Sequence, residues 1–350
     1  MIALLELEAC REHERASDQS GSGAAGGEGG SPESTYQNDS GGAATTAAAL
    51  TSGGAGGADT PAPCPTFDPD AASAESLELL HPSGRYEIYV LGLAGDLVYF
   101  VEGEALRRIP IDGGMPETMG SFSGSWLRRA GTDELVWARP HATASGQQIV
   151  RAPLDDPEAA SVVVEATPSV QHLVLDDSHV FWSTTDPHDV LRAPLAGGDP
   201  ELLVGGGQPL GAVLHGGYYY WIDALSDHLE RIPLAGGQRE PLTRVTFGGP
   251  MAAGDGAIFW GDTVLSTIEK WAPDSGRVQL ASAIDPLQLQ VWEDTLYWSQ
   301  GLLSGAVRSV AVDGDGPRDV LCRLRPRTSF HVTDAHFLVG GGSGLLRLSR

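Results

Sequence analysis

The chain has 350 residues and a formal net charge of -24 at pH 7, with 22 basic against 46 acidic side chains. Because binding to nucleic acids or anionic lipid needs clustered Lys and Arg, this charge excludes both as electrostatic partners. No apolar stretch approaches the roughly 18 residues that cross a bilayer, so we expect no transmembrane span.

The sequence divides into a tail, residues 1–75, and a repetitive region, residues 76–350. Between residues 17 and 62 the tail is mostly Gly, Ala, Ser and Thr, with Tyr36 and Leu50 as its large apolar side chains. Such a composition buries too little surface to offset the entropy lost on ordering the chain. We therefore expect a disordered tether.

Cys10 follows Leu7, Glu8 and Ala9, and this short segment resembles the lipobox of bacterial lipoproteins. The resemblance implies export, lipidation at Cys10 and an extracytoplasmic location. No basic region precedes the segment, and Glu8 interrupts its apolar run, so a cytoplasmic protein with a disordered arm is the alternative. Lys270 is the single lysine, a coding bias typical of GC-rich bacterial genomes.

Two further cysteines suggest a disulfide bond that would hold the ring closed. Cys64 stands at the end of the tail, and Cys322 stands at the end of the outer strand predicted for the sixth repeat. Closing the repeats into a ring would bring the two close together. A disulfide between them would require an oxidising compartment, and two unrelated buried thiols are the alternative.

From about residue 86 onward, the chain repeats a short apolar run that ends in an aromatic or apolar doublet. The second residues of successive doublets lie 37 to 45 residues apart. A period near 40 with strand patterns inside each unit is typical of a β-propeller. The doublets are Tyr99-Phe100, Val136-Trp137, Phe181-Trp182, Tyr220-Trp221, Phe259-Trp260, Tyr297-Trp298 and Phe337-Leu338.

Each repeat predicts a four-stranded blade. In the third repeat the strands are expected at residues 171–175, 179–183, 190–195 and 201–204, with turn residues between them. Prolines such as Pro110 and Pro233 cannot donate a ladder hydrogen bond, so they should end third strands. The doublet rings are expected to pack between blades.

The seventh repeat ends at Arg350 without room for a fourth strand, while residues 76–80 form a strand without a blade. We therefore predict that residues 76–80 complete the seventh blade and close the ring. The expected fold is all-β, a seven-bladed propeller of four-stranded blades closed by an N-terminal outer strand.

Residues 220–223 read Tyr-Trp-Ile-Asp and residues 259–262 read Phe-Trp-Gly-Asp. These units resemble the YWTD repeats of low-density-lipoprotein-receptor-type propellers. The resemblance implies a propeller fold, and since those propellers have six blades, six is the alternative to seven. Bacterial propellers with such repeats are commonly extracytoplasmic binding or sensor domains.

Function is expected in the loops that follow the doublets, because these loops vary while the strands repeat. The candidate ligand-binding residues are Arg139, His141, Asp186, His188, Asp223, Asp227, His228 and Asp262. No nucleophile, metal or phosphate motif stands out, so no catalytic residue, metal or cofactor is assigned.

The sequence thus favours a monomeric, non-enzymatic extracytoplasmic module that binds a protein, peptide or glycan on one loop face. The alternative is a metal-dependent propeller hydrolase or lyase, such as a lactonase, which would use carboxylates and His around the central channel.

Overall fold

A computed structural model describes residues 77–122, 124–130, 133–143, 145–301, 305–314, 316–325 and 327–350. The predicted tail and Cys10 lie outside these residues. The described residues form 28 strands in seven four-stranded antiparallel sheets, so the expected seven-bladed propeller is confirmed and the six-bladed alternative is wrong.

The strands follow the repeats in chain order. β1 (Leu77–His81) precedes the first blade, which contains β2 (Ile88–Ala94), β3 (Leu97–Glu102), β4 (Ala105–Pro110) and β5 (Glu117–Ser121). Blade 2 contains β6 (Ser125–Ala130), β7 (Glu134–Pro140), β8 (Gln147–Pro153) and β9 (Ser161–Thr167). Blade 3 contains β10 (Val170–Leu175), β11 (His179–Thr184), β12 (Asp189–Pro194) and β13 (Glu201–Gly205). Blade 4 contains β14 (Pro209–His215), β15 (Tyr218–Asp223), β16 (His228–Pro233) and β17 (Glu240–Arg244).

The remaining blades keep the same order. Blade 5 contains β18 (Met251–Gly254), β19 (Ala257–Asp262), β20 (Thr267–Ala272) and β21 (Gly276–Ser282). Blade 6 contains β22 (Pro286–Trp292), β23 (Thr295–Gln300), β24 (Gly305–Ala311) and β25 (Arg318–Leu324). Blade 7 contains β26 (Ser329–Val332), β27 (His336–Gly341) and β28 (Gly344–Ser349), and β1 is its fourth strand. The third strands of blades 1 to 4 all end at a proline, as expected for a residue without an N–H donor.

Ring closure occurs where the sequence predicts it. β1 pairs antiparallel with β28, with Leu77 opposite Leu348 and Glu78 opposite Arg347. Leu77 packs in a cluster with blade 6 residues, whereas Leu80 packs in a cluster with blade 1 residues. The N-terminal strand therefore fills both interfaces of the seventh blade.

A recurring ion pair confirms that β1 is an equivalent fourth strand. In four blades a third-strand arginine pairs with an acid on the fourth strand: Arg108–Glu117, Arg192–Glu201, Arg231–Glu240 and Arg308–Asp319. In blade 7 the same pair joins Arg347 of β28 to Glu78 of β1. The two ends of the ring thus reproduce a contact that other blades make within one repeat.

The doublets pack between blades. Trp182, Trp221, Trp260 and Trp298 have no exposed surface. One core cluster, for example, joins Val136 of blade 2 to Trp182 of blade 3. The first strand of each blade is innermost: β10 contacts β6 and β14, and β26 contacts β22 and β2.

Two observations bear on location. Cys322 lies in β25 and is disulfide-bonded. Its predicted partner, Cys64, lies outside the described residues, so that pairing stays a prediction. The helical segment that the described residues contain is a 3-10 turn, Pro157–Ala159, and no helix among them has the length and hydropathy to cross a membrane.

Candidate functional site

Two sets of loops share one end of the propeller. In blade 4 the first residue of β14, Pro209, lies opposite the last residue of β15, Asp223. The loop that enters a blade and the loop that follows its doublet strand therefore lie side by side. We call this end of the molecule the loop face.

Asp223 holds two of these loops together. Its buried carboxylate accepts hydrogen bonds from the Gln208 N–H at 2.8 Å and the Leu225 N–H at 3.1 Å, and it pairs with the Arg239 guanidinium. Burial by itself raises the pKa of Asp223, but these N–H groups and the charge of Arg239 outweigh it, so the pKa is lowered. Both carboxylate oxygens are thus used by protein donors.

Asp262 does the same in blade 5. Its carboxylate has no exposed surface and accepts from the N–H groups of Val264 at 3.0 Å and Leu265 at 2.8 Å. It also accepts from the N–H of Phe247 at 3.3 Å, which belongs to the loop between β17 and β18. This carboxylate therefore fixes an inter-blade loop beside the loop after the doublet.

The loops that follow the doublet strands and enter the next blades in blades 4 and 5 carry exposed apolar side chains, which we call the apolar loop patch. Its members are exposed by 43% to 66%, and they are Leu225, Phe247, Val264, Leu265 and Ile284. The Val245 N–H donates to Asp227 O at 2.8 Å, and the Ala283 N–H donates to Ser266 O at 2.9 Å. The first bond joins the loop after β15 to the loop that enters blade 5, and the second joins the loop after β19 to the loop that enters blade 6.

Elsewhere in the described residues the exposed large apolar side chains are dispersed. Leu79, Val162, Leu202 and Val278 each lie on the fourth strand of a different blade, and Tyr86 and Met115 lie in two separate loops. Single exposed apolar residues are ordinary on protein surfaces, whereas several on hydrogen-bonded neighbouring loops indicate a contact surface. The apolar loop patch is therefore the strongest surface feature in this part of the chain.

The other sequence-predicted site residues lie on the loop face but do not converge. In blade 2 the Arg139 Nε donates to Gln148 Oε1 at 3.4 Å, and His141 Nε2 lies 3.5 Å from Glu165 Oε1. In blade 3 Asp186 is exposed and joined to Pro187 by a cis peptide bond.

The remaining candidates are also engaged locally. His188 is half-buried, and its carbonyl accepts from the N–H groups of Gly206 and Gly207. The His228 Nδ1 donates to Ser226 O at 2.6 Å, and Asp227 lies 3.9 Å from Arg244. Within the described ranges no three His, Cys, Asp or Glu side chains are close enough to share a metal ion.

The polar residues that follow the doublets in sequence do not indicate the apolar members of the patch. Leu225, Val264 and Leu265 nevertheless stand in the same loops as those polar residues. Large apolar residues in predicted loops, outside the strand pattern, were the signal that could have found them.

No protein-family model and no curated protein matches the chain. Solved structures do match its fold. Virginiamycin B lyase from Staphylococcus aureus has a TM-score of 0.62 and 9% identity over 78% of this chain and 99% of that one. A puromycin-hydrolyzing peptidase from Mycobacterium tuberculosis has a TM-score of 0.52 and 18% identity over 73% of this chain and 50% of that one.

A third similar structure is an extracellular domain from B. thetaiotaomicron, of a protein described as a one component system. Its TM-score is 0.57, with 9% identity over 79% of this chain and 40% of that one. At these identities the likeness shows the propeller fold alone, since one fold carries many functions.

Proposed function

We propose that this chain is a non-enzymatic, extracytoplasmic β-propeller module that binds a protein or peptide through the apolar loop patch. The single observation that carries the proposal is the patch itself, in which five large apolar side chains are exposed, four of them on loops fixed by the buried carboxylates of Asp223 and Asp262. Preorganised loops lose little conformational entropy when a partner binds.

The chemistry of the patch favours a peptide over a glycan. Four of its five members are aliphatic, and Phe247 is the single aromatic ring. Aliphatic surface gains free energy by burying apolar side chains of a partner, at about 25 cal/mol per Å². A glycan instead presents mostly hydroxyl groups, which need polar partners when they are buried.

The charge of the loops around the patch further limits the class of binding partner. The loops that carry the patch contribute the carboxylates of Asp227 and Asp285 and no basic side chain, and the chain as a whole carries -24. Arg244, at the end of β17, offsets part of the charge of Asp227. Complementary charge steers association and suppresses wrong partners. We therefore infer an occupant with apolar residues flanked by Lys or Arg.

An extracytoplasmic location is supported by the disulfide at Cys322, because disulfides persist in oxidising compartments. A lipid anchor at Cys10, a bacterial origin and a monomeric state remain part of the proposal on sequence grounds. The YWTD-like repeats are consistent with such a binding module. No observation favours a metal-dependent hydrolase or lyase, since the likeness to virginiamycin B lyase and to the peptidase concerns the fold.

The proposal is tested with a random peptide library displayed on phage and selected on the full chain. Enriched peptides should carry apolar residues flanked by Lys or Arg. They should bind the double variant Val264→Ser, Leu265→Ser at least tenfold more weakly, which is about 1.4 kcal/mol. Both substitutions are on exposed side chains, so the melting temperature should be unchanged.

Leu202→Ser is the matched control, because Leu202 is 60% exposed on the outer strand β13, away from the loop face. It should bind the selected peptides as the wild type does. Selection that yields no apolar sequences, or peptides that bind the double variant and the wild type equally, would overturn the proposal.

A further inference from the structure

The innermost strand of blade 2 breaks the repeat pattern at one position. In six blades the residue opposite the first doublet residue is uncharged: Gly92, Val174, Val213, Ala252, Gln290 and Val332. In blade 2 the equivalent residue is Arg128, opposite Val136. Six blades thus have an uncharged residue at this position, and blade 2 has a guanidinium.

The next residue departs in the same way. Arg129 lies opposite Leu135. In five other blades the equivalent residue is apolar: Leu93, Leu175, Leu214, Ala253 and Val291. Two consecutive arginines therefore stand on the strand that borders the propeller axis, in a protein with only 22 basic residues.

Arg129 extends across the first blade toward the seventh. Its Nη1 donates to Leu93 O at 2.6 Å. A Cβ atom at Gly92 would lie 3.3 Å from both Arg129 Nη1 and His331 Nε2. Because Gly92 has no side chain, the Arg129 guanidinium and the His331 imidazole can both lie beside it.

Arg128 is half-buried, and its Nη1 donates to the carbonyl of its own neighbour, Leu127, at 3.3 Å. Among the described residues no carboxylate pairs with it. Burial lowers the pKa of Arg128 to about 10, and the nearby Tyr89 hydroxyl opposes this effect. A charge that is partly withdrawn from water is stabilised by a counter-ion, because losing water is costly for an isolated ion.

Two half-buried arginines, one just before and one on the fourth strand of its blade, show what a paired guanidinium looks like in this molecule. Arg239 contacts the buried carboxylates of Asp223 and Glu230, and Arg277 contacts that of Glu269. These half-buried guanidinium groups of blades 4 and 5 therefore have carboxylate partners, whereas no carboxylate of the described residues pairs with Arg128.

Two histidine side chains, His172 and His331, lie close to these arginines. His172, on the innermost strand of blade 3, donates from Nε2 to Pro209 O at 3.1 Å. Burial lowers the pKa of His172 and of His331 to about 4, and the charges of Arg128 and Arg129 add to this effect. At neutral pH both rings are uncharged, so they leave the positive charge of the arginines undisturbed.

We propose that Arg128 and Arg129, with His172 and His331 on the innermost strands of blades 3 and 7, form a binding site for a small oxyanion, a phosphate or a carboxylate. A planar guanidinium binds such groups with two parallel N–H donors. The site lies on the innermost strands of blades 7, 1, 2 and 3, away from the apolar loop patch. It is therefore independent of the function proposed above.

The experiment is isothermal titration of the full chain at fixed ionic strength, with inorganic phosphate in one arm and succinate in the other. The two arms distinguish a phosphate from a carboxylate ligand. At least one should bind the wild type, and Arg128→Gln should weaken that binding at least tenfold. Arg244→Gln is the matched control, since Arg244 is an arginine with 79% exposure outside this region, and it should bind as the wild type does.

Two additions keep the test decisive if Arg128→Gln fails to fold. Arg128→Met fills the same space without a charge and should also lose binding. In the wild type, the C2–H proton signals of His172 and His331 should shift on adding the anion that binds. Absence of binding in both arms, equal affinity of the wild type and the Arg128 variant, or unmoved histidine signals would overturn the proposal.

Discussion

Replacing Leu80 by Ala should destabilise the protein strongly, because this side chain fastens the N-terminal strand to the ring. Leu80 is 7% exposed and packs in a cluster with Phe100 and Ile109 of blade 1 and Leu345 of blade 7. Truncating a buried leucine removes transfer free energy and leaves a cavity, which together cost about 2–5 kcal/mol. We expect a loss near the middle of that range, about 3 kcal/mol.

Leu79 offers a control within the same strand, because its side chain is 43% exposed. Leu79→Ala should cost less than about 1 kcal/mol, in keeping with surface substitutions. Urea unfolding followed by tryptophan fluorescence measures both free energies. Equal losses for the two variants, or no loss for Leu80→Ala, would show that β1 does not close the ring as described. A deletion of residues 1–82 should likewise lower the melting temperature far more than a deletion of residues 1–75.

Two further predictions concern the innermost strands. Because His172 has a folded pKa of about 4 against an ordinary 6.5, only the unfolded chain gains a proton between these values. The free energy of unfolding should therefore fall by about 3 kcal/mol from this group as the pH drops from 6.5 to 4, and His172→Gln should flatten that part of the pH profile. Gln288 accepts from the Phe330 N–H at 3.0 Å and donates to Phe330 O at 2.8 Å, so Gln288→Leu should cost about 2–4 kcal/mol in urea unfolding by leaving both groups unpaired. The exposed Gln279, as Gln279→Leu, should change stability by less than about 0.5 kcal/mol, and equal effects at the two glutamines would contradict this bridging role.

The architecture could be predicted because the same physical requirement recurs in every repeat. Each blade must present an apolar face to both neighbours, which forces a strand pattern and a doublet at a regular interval. In blade 3 the expected strand at residues 179–183 corresponds to His179–Thr184, and that at 201–204 to Glu201–Gly205. The closing strand, expected at residues 76–80, is Leu77–His81.

The candidate site could be predicted only in part, because loop positions depend on contacts distant in sequence. Asp262 was chosen as a ligand-binding residue, yet its carboxylate holds the N–H of Phe247, which lies 15 residues earlier. Neither the aspartate nor the phenylalanine indicates this contact from its place in the sequence. The arginines of blade 2 are a different case, since aligning the repeats on their doublets would have revealed Arg128 opposite Val136 without any structure.

The two proposed sites make different demands on the fold. The apolar loop patch uses loops whose backbone is fixed by Asp223 and Asp262, so its exposed side chains can change while the blades keep their packing. Arg128 instead occupies a strand position that is uncharged in the other blades, where an unpaired charge opposes folding. Serine substitutions in the patch should therefore leave stability unchanged and alter only peptide binding. Arg128→Met should keep or raise the stability of the ligand-free protein while removing its response to oxyanions, so the two sites can be tested, and can fail, separately.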